Sequence, residues 1–454
     1  MGDLQSERTA VAASTKAPAD ALGLTTYYVL ILAQAISLLG SQISGLAVSI
    51  AVFRQTGHAT PLALVAFFLA APRVVLGGFA GALADRFDRR RIMLLANVGY
   101  IVASGLLLAS FASGAFQLWH LYVLVLGSSL CEAIEAPAFQ ASVAMLVPDS
   151  HRDRANAIGM IGGPAAGVVA PTIAGLLYAI IGVVGAISLD IASFMVAIIA
   201  LVVVRIPMPA QTAEGLATRS SIWRQAFDGF RYLSSRPALL SFCGFFSIMS
   251  FLVLGVLVLD VPYILDRTGN VVVLGFVMGA LNFGAVAGAV AMAAWGGTRP
   301  RIHTVMLAAA MVGAFLTLAG VSREAVSIAA SLFMLMFATP FIEAAAFSIL
   351  QAKIAPDLQG RVFASVGQLT ALLRPAAYLV VGPLADRVFE PARRAPVWRL
   401  VAWLVGAGQG AGIGLMFVIG GTLTLIFSLA VYGVPAIRRM ETTLPDHGTA
   451  VEPA

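Results

Sequence analysis

The chain has 454 residues, of which 59% are hydrophobic and 11% are charged, and its formal net charge is +6. Soluble domains average about 45–50% apolar residues, so this composition excludes an ordinary soluble core and indicates many membrane-spanning segments. The positive charge does not indicate a nucleic-acid-binding protein, because the arginines fall in loops between apolar runs and no basic soluble domain is present.

Residues 1–23 are polar and lack an apolar segment, so we expect a cytoplasmic tail rather than a signal peptide. Twelve apolar runs follow, each near the roughly 20 residues that a helix needs to cross a bilayer. The chain is therefore predicted to be an all-α membrane protein with twelve transmembrane helices. The runs lie at about 25–53, 62–84, 92–112, 117–147, 155–180, 183–204, 238–264, 271–297, 302–320, 325–352, 362–386 and 404–435.

The loops differ in their arginine and lysine content. With the N-terminus inside, 19 of these residues lie on the cytoplasmic side, 7 lie outside and two lie within spans. Cytoplasmic loops carry the excess of positive charge in membrane proteins. We therefore expect both termini in the cytoplasm, with residues 437–454 as a second tail.

The apolar pattern breaks at 205–237, in the middle of the chain. Prolines and small polar residues there indicate a linker. An amphipathic helix follows, in which aromatic and aliphatic side chains alternate with Arg224, Asp228 and Arg231. We expect this helix on the cytoplasmic membrane surface, between one bundle at 24–204 and another at 238–436.

The two halves repeat each other. Residues 135–139, Glu-Ala-Pro-Ala-Phe, match residues 343–347, Glu-Ala-Ala-Ala-Phe, at an offset of 208 positions. Parallel repeats of this kind build transporters from two bundles of the same orientation. The fold is therefore predicted to contain two pseudo-symmetric six-helix bundles.

Ionisable side chains inside spans are costly and indicate function. Glu132 and Glu135 are three residues apart on one face of the fourth span, and Glu343 holds the symmetric position in the tenth. Acids on both sides of a cleft can bind a proton, a cation or a cationic substrate, and crowded carboxylates in a low dielectric hold protons near neutral pH. These three acids are the predicted proton or substrate site.

A structural interpretation of the same acids stays open. Arg73 and Arg374 also lie within spans, at similar depth, and are predicted counter-charges for two of the acids. In that case the pairs would serve packing only. For Asp190, on the sixth span, we expect a structural hydrogen-bonding role.

The stretch 81–91, between the second and third runs, carries four arginines and two aspartates. It resembles the loop 2–3 signature of the major facilitator superfamily, with Asp88 where that pattern has a second glycine. The matching residues, which form the predicted gating loop, are Gly81, Asp85, Arg86, Arg89 and Arg90. The Pro72-Arg73 pair and the run at 382–387 add a resemblance to the bacterial branch that contains macrolide efflux pumps and enterobactin exporters.

The resemblance implies that spans 1, 4, 7 and 10 line a central cavity. Membrane topology alone is one interpretation of the charges in the 81–91 loop, but topology needs the arginines and not Asp85, so we expect Asp85 to act as a latch, against the start of span 11 near Asp357 or against Arg152 or Arg154. The fifth span resembles the antiporter motif of the superfamily, which serves close helix packing and a kink. Its matching residues are Ala166, Ala170, Pro171, Ala174 and Gly175.

Together these features predict a monomeric exporter of small drug-like or macrolide-like molecules in a bacterial inner membrane, working by proton antiport and alternating access. Its expected partners are the substrate, protons and lipid. A dedicated siderophore or secondary-metabolite exporter is one alternative, and a sensor or scaffold without transport is another. We expect no enzyme activity, cofactor or metal, and Cys131 and Cys243 give no disulfide or metal spacing. The segment 387–403 is predicted to be an interfacial helix without an assigned function.

Overall fold

The computed structural model describes residues 2–84, 87–147, 152–204, 230–438 and 441. Side chains are described from residue 25 onward within these ranges, except at 77–84, 144, 152–164, 356–357, 361 and 436. Within this part of the chain the regular structure is helical, without strands. The prediction of an all-α membrane protein is confirmed.

The fold has fifteen labelled helices, and a π-helical turn and two three-residue helical pieces connect some of them. The unlabelled pieces are Ala385–Phe389, Glu390–Ala392 and Pro396–Trp398. In chain order the helices are α1 Gly2–Thr56, α2 Thr60–Ala84, α3 Arg89–Ala112, α4 Leu118–Leu146, α5 Arg152–Val203, α6 Pro237–Leu257, α7 Asp260–Thr268, α8 Val271–Trp295, α9 Ile302–Val321, α10 Ala325–Lys353, α11 Pro356–Ala371, α12 Arg374–Leu384, α13 Arg399–Val405, α14 Ala411–Gly433 and α15 Pro435–Arg438.

Ten helical stretches of the described chain are long and apolar enough to cross a membrane. One of them, in α5, contains two predicted spans, because Gly182 at φ 65° and ψ −170° interrupts the helical backbone. Glycine adopts this positive φ readily since it has no Cβ. Dividing α5 at Gly182 and adding the 25-residue α2 gives the twelve predicted segments.

Two spans consist of successive helices. The seventh is α6 followed by α7, with a turn at Val258 and Leu259, and the eleventh is α11 followed by α12, with a turn before Arg374 and Pro375. Proline has no N–H, so Pro375 cannot donate the hydrogen bond that would continue the helix across the second interruption.

The helices pack into two groups. In the first half α1 packs on α5, α2 on α4, and α3 on both α4 and α5. In the second half α8 packs on α10, α9 packs on both α10 and α14, and α6 packs on α12. The halves meet where α5 contacts α8, where α2 contacts α12, and where α1 contacts α7.

The ends of the bundle differ. We call the end that carries the described connections at 230–236, 296–301 and 354–355 the linker end, and the opposite end carries those at 57–59, 113–117, 269–270, 322–324 and 385–410. The amphipathic helix predicted within 205–237 falls mostly outside the described residues and stays a prediction. At the opposite end the predicted interfacial helix is represented by α13, whose Leu400 and Trp403 are 74% and 76% exposed.

The basic end of the loop between α2 and α3 holds its own half together. Asp88 caps α3 and accepts a hydrogen bond from the Arg90 N–H at 2.9 Å. This cap accounts for an acid at a position where the family pattern has glycine. Arg89 donates to the Ala141 carbonyl and Arg90 to the Leu201 carbonyl, at 3.1 and 2.8 Å, near the negative ends of α4 and α5. Asp85 and Arg86 lie outside the described residues, so the latch stays a prediction.

Candidate functional site

A cavity of about 750 Å³ lies in the first half, lined by residues of α1 to α5 and by three residues of α8. Three carboxylates face it: Glu132 and Glu135 of α4 and Asp190 of α5. Arg73 is the one basic residue of its lining. The remaining lining mixes aliphatic side chains with neutral polar ones, among them serines of α1, α3 and α4 and the amides of Gln34, Gln42 and Asn282. The two acids of the fourth span therefore line one space, and their role in binding a proton or substrate stays a prediction.

Arg73 of α2 forms an ion pair with Glu132 of α4. Their side chains are 54% and 44% exposed, so water in the cavity screens the pair. The pairing of an intramembrane arginine with an acid, predicted as the structural alternative, is therefore present for Glu132. Arg73 thus neutralises one of the three acids.

Glu135 is 5% exposed and has two neutral hydrogen-bond partners. The Tyr100 hydroxyl donates to Oε2 at 2.8 Å, and the Asn97 amide donates to Oε1 at 3.1 Å. Within the described chain no basic side chain lies within ion-pairing distance of it. A tyrosine hydroxyl can donate or accept, so Oε2 keeps its partner whether or not it carries a proton. The site is suited to a group that changes its charge.

Asp190 is also 5% exposed, and its two oxygens accept hydrogen bonds from two serines. Ser41 of α1 donates to Oδ1 at 2.9 Å and Ser104 of α3 donates to Oδ2 at 3.1 Å. The predicted hydrogen bonds are therefore present. The sequence did not predict that Asp190 faces the same cavity as the two glutamates.

Glu343 and Arg374 lie elsewhere. Glu343 is exposed on α10 and is not part of the cavity lining. Arg374 lines a second space of about 440 Å³ between α2, α11 and α12, which Arg73 also lines. The predicted role of Glu343 in proton or substrate binding stays a prediction.

Asp386 connects the halves at the opposite end. Its carboxylate accepts hydrogen bonds from the backbone N–H groups of Ala59 and Thr60, at 2.8 and 2.7 Å, and from the Thr60 hydroxyl. An acid at a helix N-terminus is stabilising, and here the helix, α2, belongs to the other half. A signal was visible in the sequence, since 382–387 repeats the Gly-x-Leu-Ala-Asp-Arg pattern of 81–86.

Helices α5 and α8 approach closely near the opposite end of the bundle, where α8 begins. A Cβ on Gly175 would lie 2.6 Å from the Val271 carbonyl, and one on Gly275 would lie 2.6 Å from the Pro171 carbonyl. Ala166, Ala170 and Ala174 are buried on the same helix. Gly175 thus allows the two helices to approach closely, and the antiporter role of the motif stays a prediction.

Two bundles of apolar helices around an internal polar cavity define a multi-pass membrane transporter. The chain belongs to the Major Facilitator Superfamily, whose family model matches residues 30–378. It is a transporter rather than an enzyme. No group of three or more potential metal ligands occurs in the described part of the chain.

Relatives and solved structures agree with this assignment. The chain is 22% identical to macrolide efflux protein A of Streptococcus pyogenes, over 91% of this chain and 97% of that protein. It is 24% identical to the multidrug efflux pump Tap of Mycolicibacterium fortuitum, over 74% and 83%. The fold matches a bacterial homologue of the human lysosomal transporter Spinster, inward-facing and unoccupied, with a TM-score of 0.69 at 14% identity, over 95% of this chain and 99% of that one.

Proposed function

We propose that this protein exports a small apolar organic cation across the bacterial cytoplasmic membrane in exchange for protons, by alternating access. The observation that carries the proposal is the cavity with three carboxylates and one arginine. The efflux proteins among its relatives support the outward direction of transport. The proposal keeps both termini in the cytoplasm, so the linker end faces inward, and it treats the chain as a monomer.

The lining of the cavity favours a cation with an apolar body. When all three acids are ionised, Arg73 compensates one of them, and two negative charges remain in a space lined otherwise by aliphatic and neutral polar side chains. A cation or protons can supply the missing charge. Leu62, Val65 and Phe194 provide apolar contact area for the rest of the molecule.

Coupling follows from competition for the same acids. Glu135 and Asp190 have hydroxyl partners that can donate or accept, so both acids can be protonated without losing their hydrogen bonds. A proton on either acid removes the charge that attracts the cation. Proton binding and substrate binding therefore oppose each other, as antiport requires.

Alternating access needs one end to be held shut while the other opens. Among the described residues, the hydrogen bonds between the halves join Asp386 to Ala59 and Thr60, all at the opposite end. We infer that the conformation is closed to the outside. The predicted latch at Asp85 would hold the linker end in the alternate conformation.

The proposal is tested by accumulation of tetraphenylphosphonium, a permanently charged apolar cation, and of further apolar cations in cells. Cells that express the chain should accumulate less, and a protonophore should abolish the difference. Glu135→Gln should also abolish it, whereas Glu324→Gln, at an exposed acid outside the cavity, should not. Equal accumulation of every cation with and without the protein would overturn the proposed export.

A further inference from the structure

The space between the two halves that contains Arg374 is chemically different from the acidic cavity. It lies between α2 of the first half and α11 and α12 of the second, with a volume of about 440 Å³. Its polar lining residues are Arg73, Gln368, Arg374 and Tyr378, and its other lining residues are aliphatic or glycine. None of the described lining residues is acidic. We call this space the arginine cleft.

Arg374 is a cation with no counter-charge in the described part of the chain. Arg73 is neutralised by Glu132, but among the described residues no carboxylate forms an ion pair with Arg374. The Nε of Arg374 is buried and has no hydrogen-bond partner. A guanidinium has five N–H donors in a planar fork that matches a carboxylate or a phosphate. A guanidinium with an unsatisfied N–H in a cleft can therefore bind an anion.

The position of Arg374 favours an anion further. It is the first residue of α12, directly after the turn that interrupts the eleventh span. The start of a helix carries partial positive charge, which adds to the charge of the guanidinium. Discontinuous helices of transporters commonly form binding sites in this way.

We propose that the arginine cleft binds the anionic head group of an amphiphile, with Arg374 as its counter-charge. Gln368 and Tyr378 supply further hydrogen-bond donors, and Ala66, Leu69 and Ala70 contact the apolar part. The head group is a carboxylate or a phosphate. This site is separate from the cation cavity and does not depend on the proposed export.

The two sites share a wall. Leu69 and Arg73 line both the cavity and the arginine cleft. An anion in the cleft attracts the same guanidinium that neutralises Glu132. Occupancy of the cleft therefore leaves Glu132 less compensated and increases the attraction of the cavity for cations.

Asp260 is the internal competitor for Arg374. The charges of Arg374 and Asp260 both act on the Tyr378 hydroxyl, so Asp260 lies in the neighbourhood of Arg374. If Arg374 served to neutralise Asp260, the cleft would have no charge left for a ligand. The proposal therefore expects Asp260→Asn to leave anion binding unchanged.

Binding to the purified full-length protein tests the proposal. One arm measures dodecanoate by titration calorimetry, with dodecanol as the neutral control. The other measures phosphatidylglycerol retained in detergent by native mass spectrometry, with phosphatidylcholine as the control. Binding of dodecanoate alone assigns a carboxylate ligand, binding of phosphatidylglycerol alone assigns a lipid phosphate, and either supports the site.

Arg374→Gln should lower the affinity for the anion at least about tenfold, since a charge-assisted contact is lost. Arg374→Lys should recover part of the affinity, and Arg387→Gln, at an exposed arginine, should change nothing. If Arg374→Gln does not fold, Gln368→Met and Tyr378→Phe should each weaken binding several-fold. The site would be contradicted by absence of binding in both arms, by equal binding of the neutral controls, or by an affinity that none of these variants changes. None of these outcomes bears on the proposed export.

Discussion

The Tyr100 hydroxyl of α3 donates a 2.8 Å hydrogen bond to Oε2 of Glu135 on α4. This contact joins two helices within one half, and both residues line the cavity. Because the hydroxyl can also accept, it stabilises the acid in both its charged and its protonated form. We regard this pair as the part of the site that exchanges protons.

Replacing Tyr100 by phenylalanine should therefore impair coupling more than folding. The change removes one partner of Glu135 and leaves the Asn97 amide in place, at a cost of roughly 1–3 kcal/mol for the unsatisfied oxygen. Proton-driven export should fall at least about tenfold. Transport assays in vesicles with an imposed pH gradient would measure this. Tyr432→Phe, which removes the hydrogen bond to His303 in the other half, is the matched control.

The Arg73–Glu132 pair should contribute little to stability but much to transport. Both side chains are about half exposed, so each single neutral variant should lower the free energy of unfolding by less than about 1 kcal/mol. Arg73→Gln leaves three uncompensated acids, and Glu132→Gln leaves a lone arginine, so both should transport poorly. The double variant should recover part of the activity. Recovery would show that charge balance matters, and its absence would assign each side chain a direct role.

Asp386 should hold the opposite end closed. Asp386→Ala removes three hydrogen bonds to α2, so the end should open more often. The measurement is the rate at which an impermeant maleimide labels L62C from outside, in a protein that also carries Cys131→Ala and Cys243→Ala. Leu62 is buried and lines the cavity. Labelling should accelerate several-fold with Asp386→Ala and stay unchanged with Arg387→Gln, and equal rates in all three proteins would contradict the role of Asp386.

The contact between α5 and α8 should not tolerate a methyl group. In Gly275→Ala the new Cβ would meet the Pro171 carbonyl at 2.6 Å, which backbone atoms cannot avoid without moving apart. We expect a lower melting temperature and at least about tenfold weaker transport, since overpacking costs roughly 1–3 kcal/mol. Gly244→Ala, with open space around its Cβ, should behave like the parent protein.

Much of the fold follows from local sequence features. Apolar run lengths predict the twelve segments, and the spacing of Glu132 and Glu135 predicts a shared face. The segment boundary at Gly182 is visible because loops and positive φ favour glycine. The repeat at an offset of 208 residues predicts two halves.

The partners of the acids could not be predicted, because they depend on how helices rotate against each other. Asn97 and Tyr100 reach Glu135 from α3, and Ser41 and Ser104 reach Asp190 from α1 and α3. None of these pairs is close in the chain. Glu343, at the symmetric position, does not line this space, since the space lies mainly within one half rather than on the axis between them.

The central claim is that Glu135 couples the movement of a cation to the opposite movement of protons. Purified protein in liposomes with an internal pH dye, given a tetraphenylphosphonium gradient, should move protons against the cation. Glu135→Gln should still bind tetraphenylphosphonium but should move no protons. Proton movement in the Glu135→Gln liposomes equal to that of the parent protein would contradict the account.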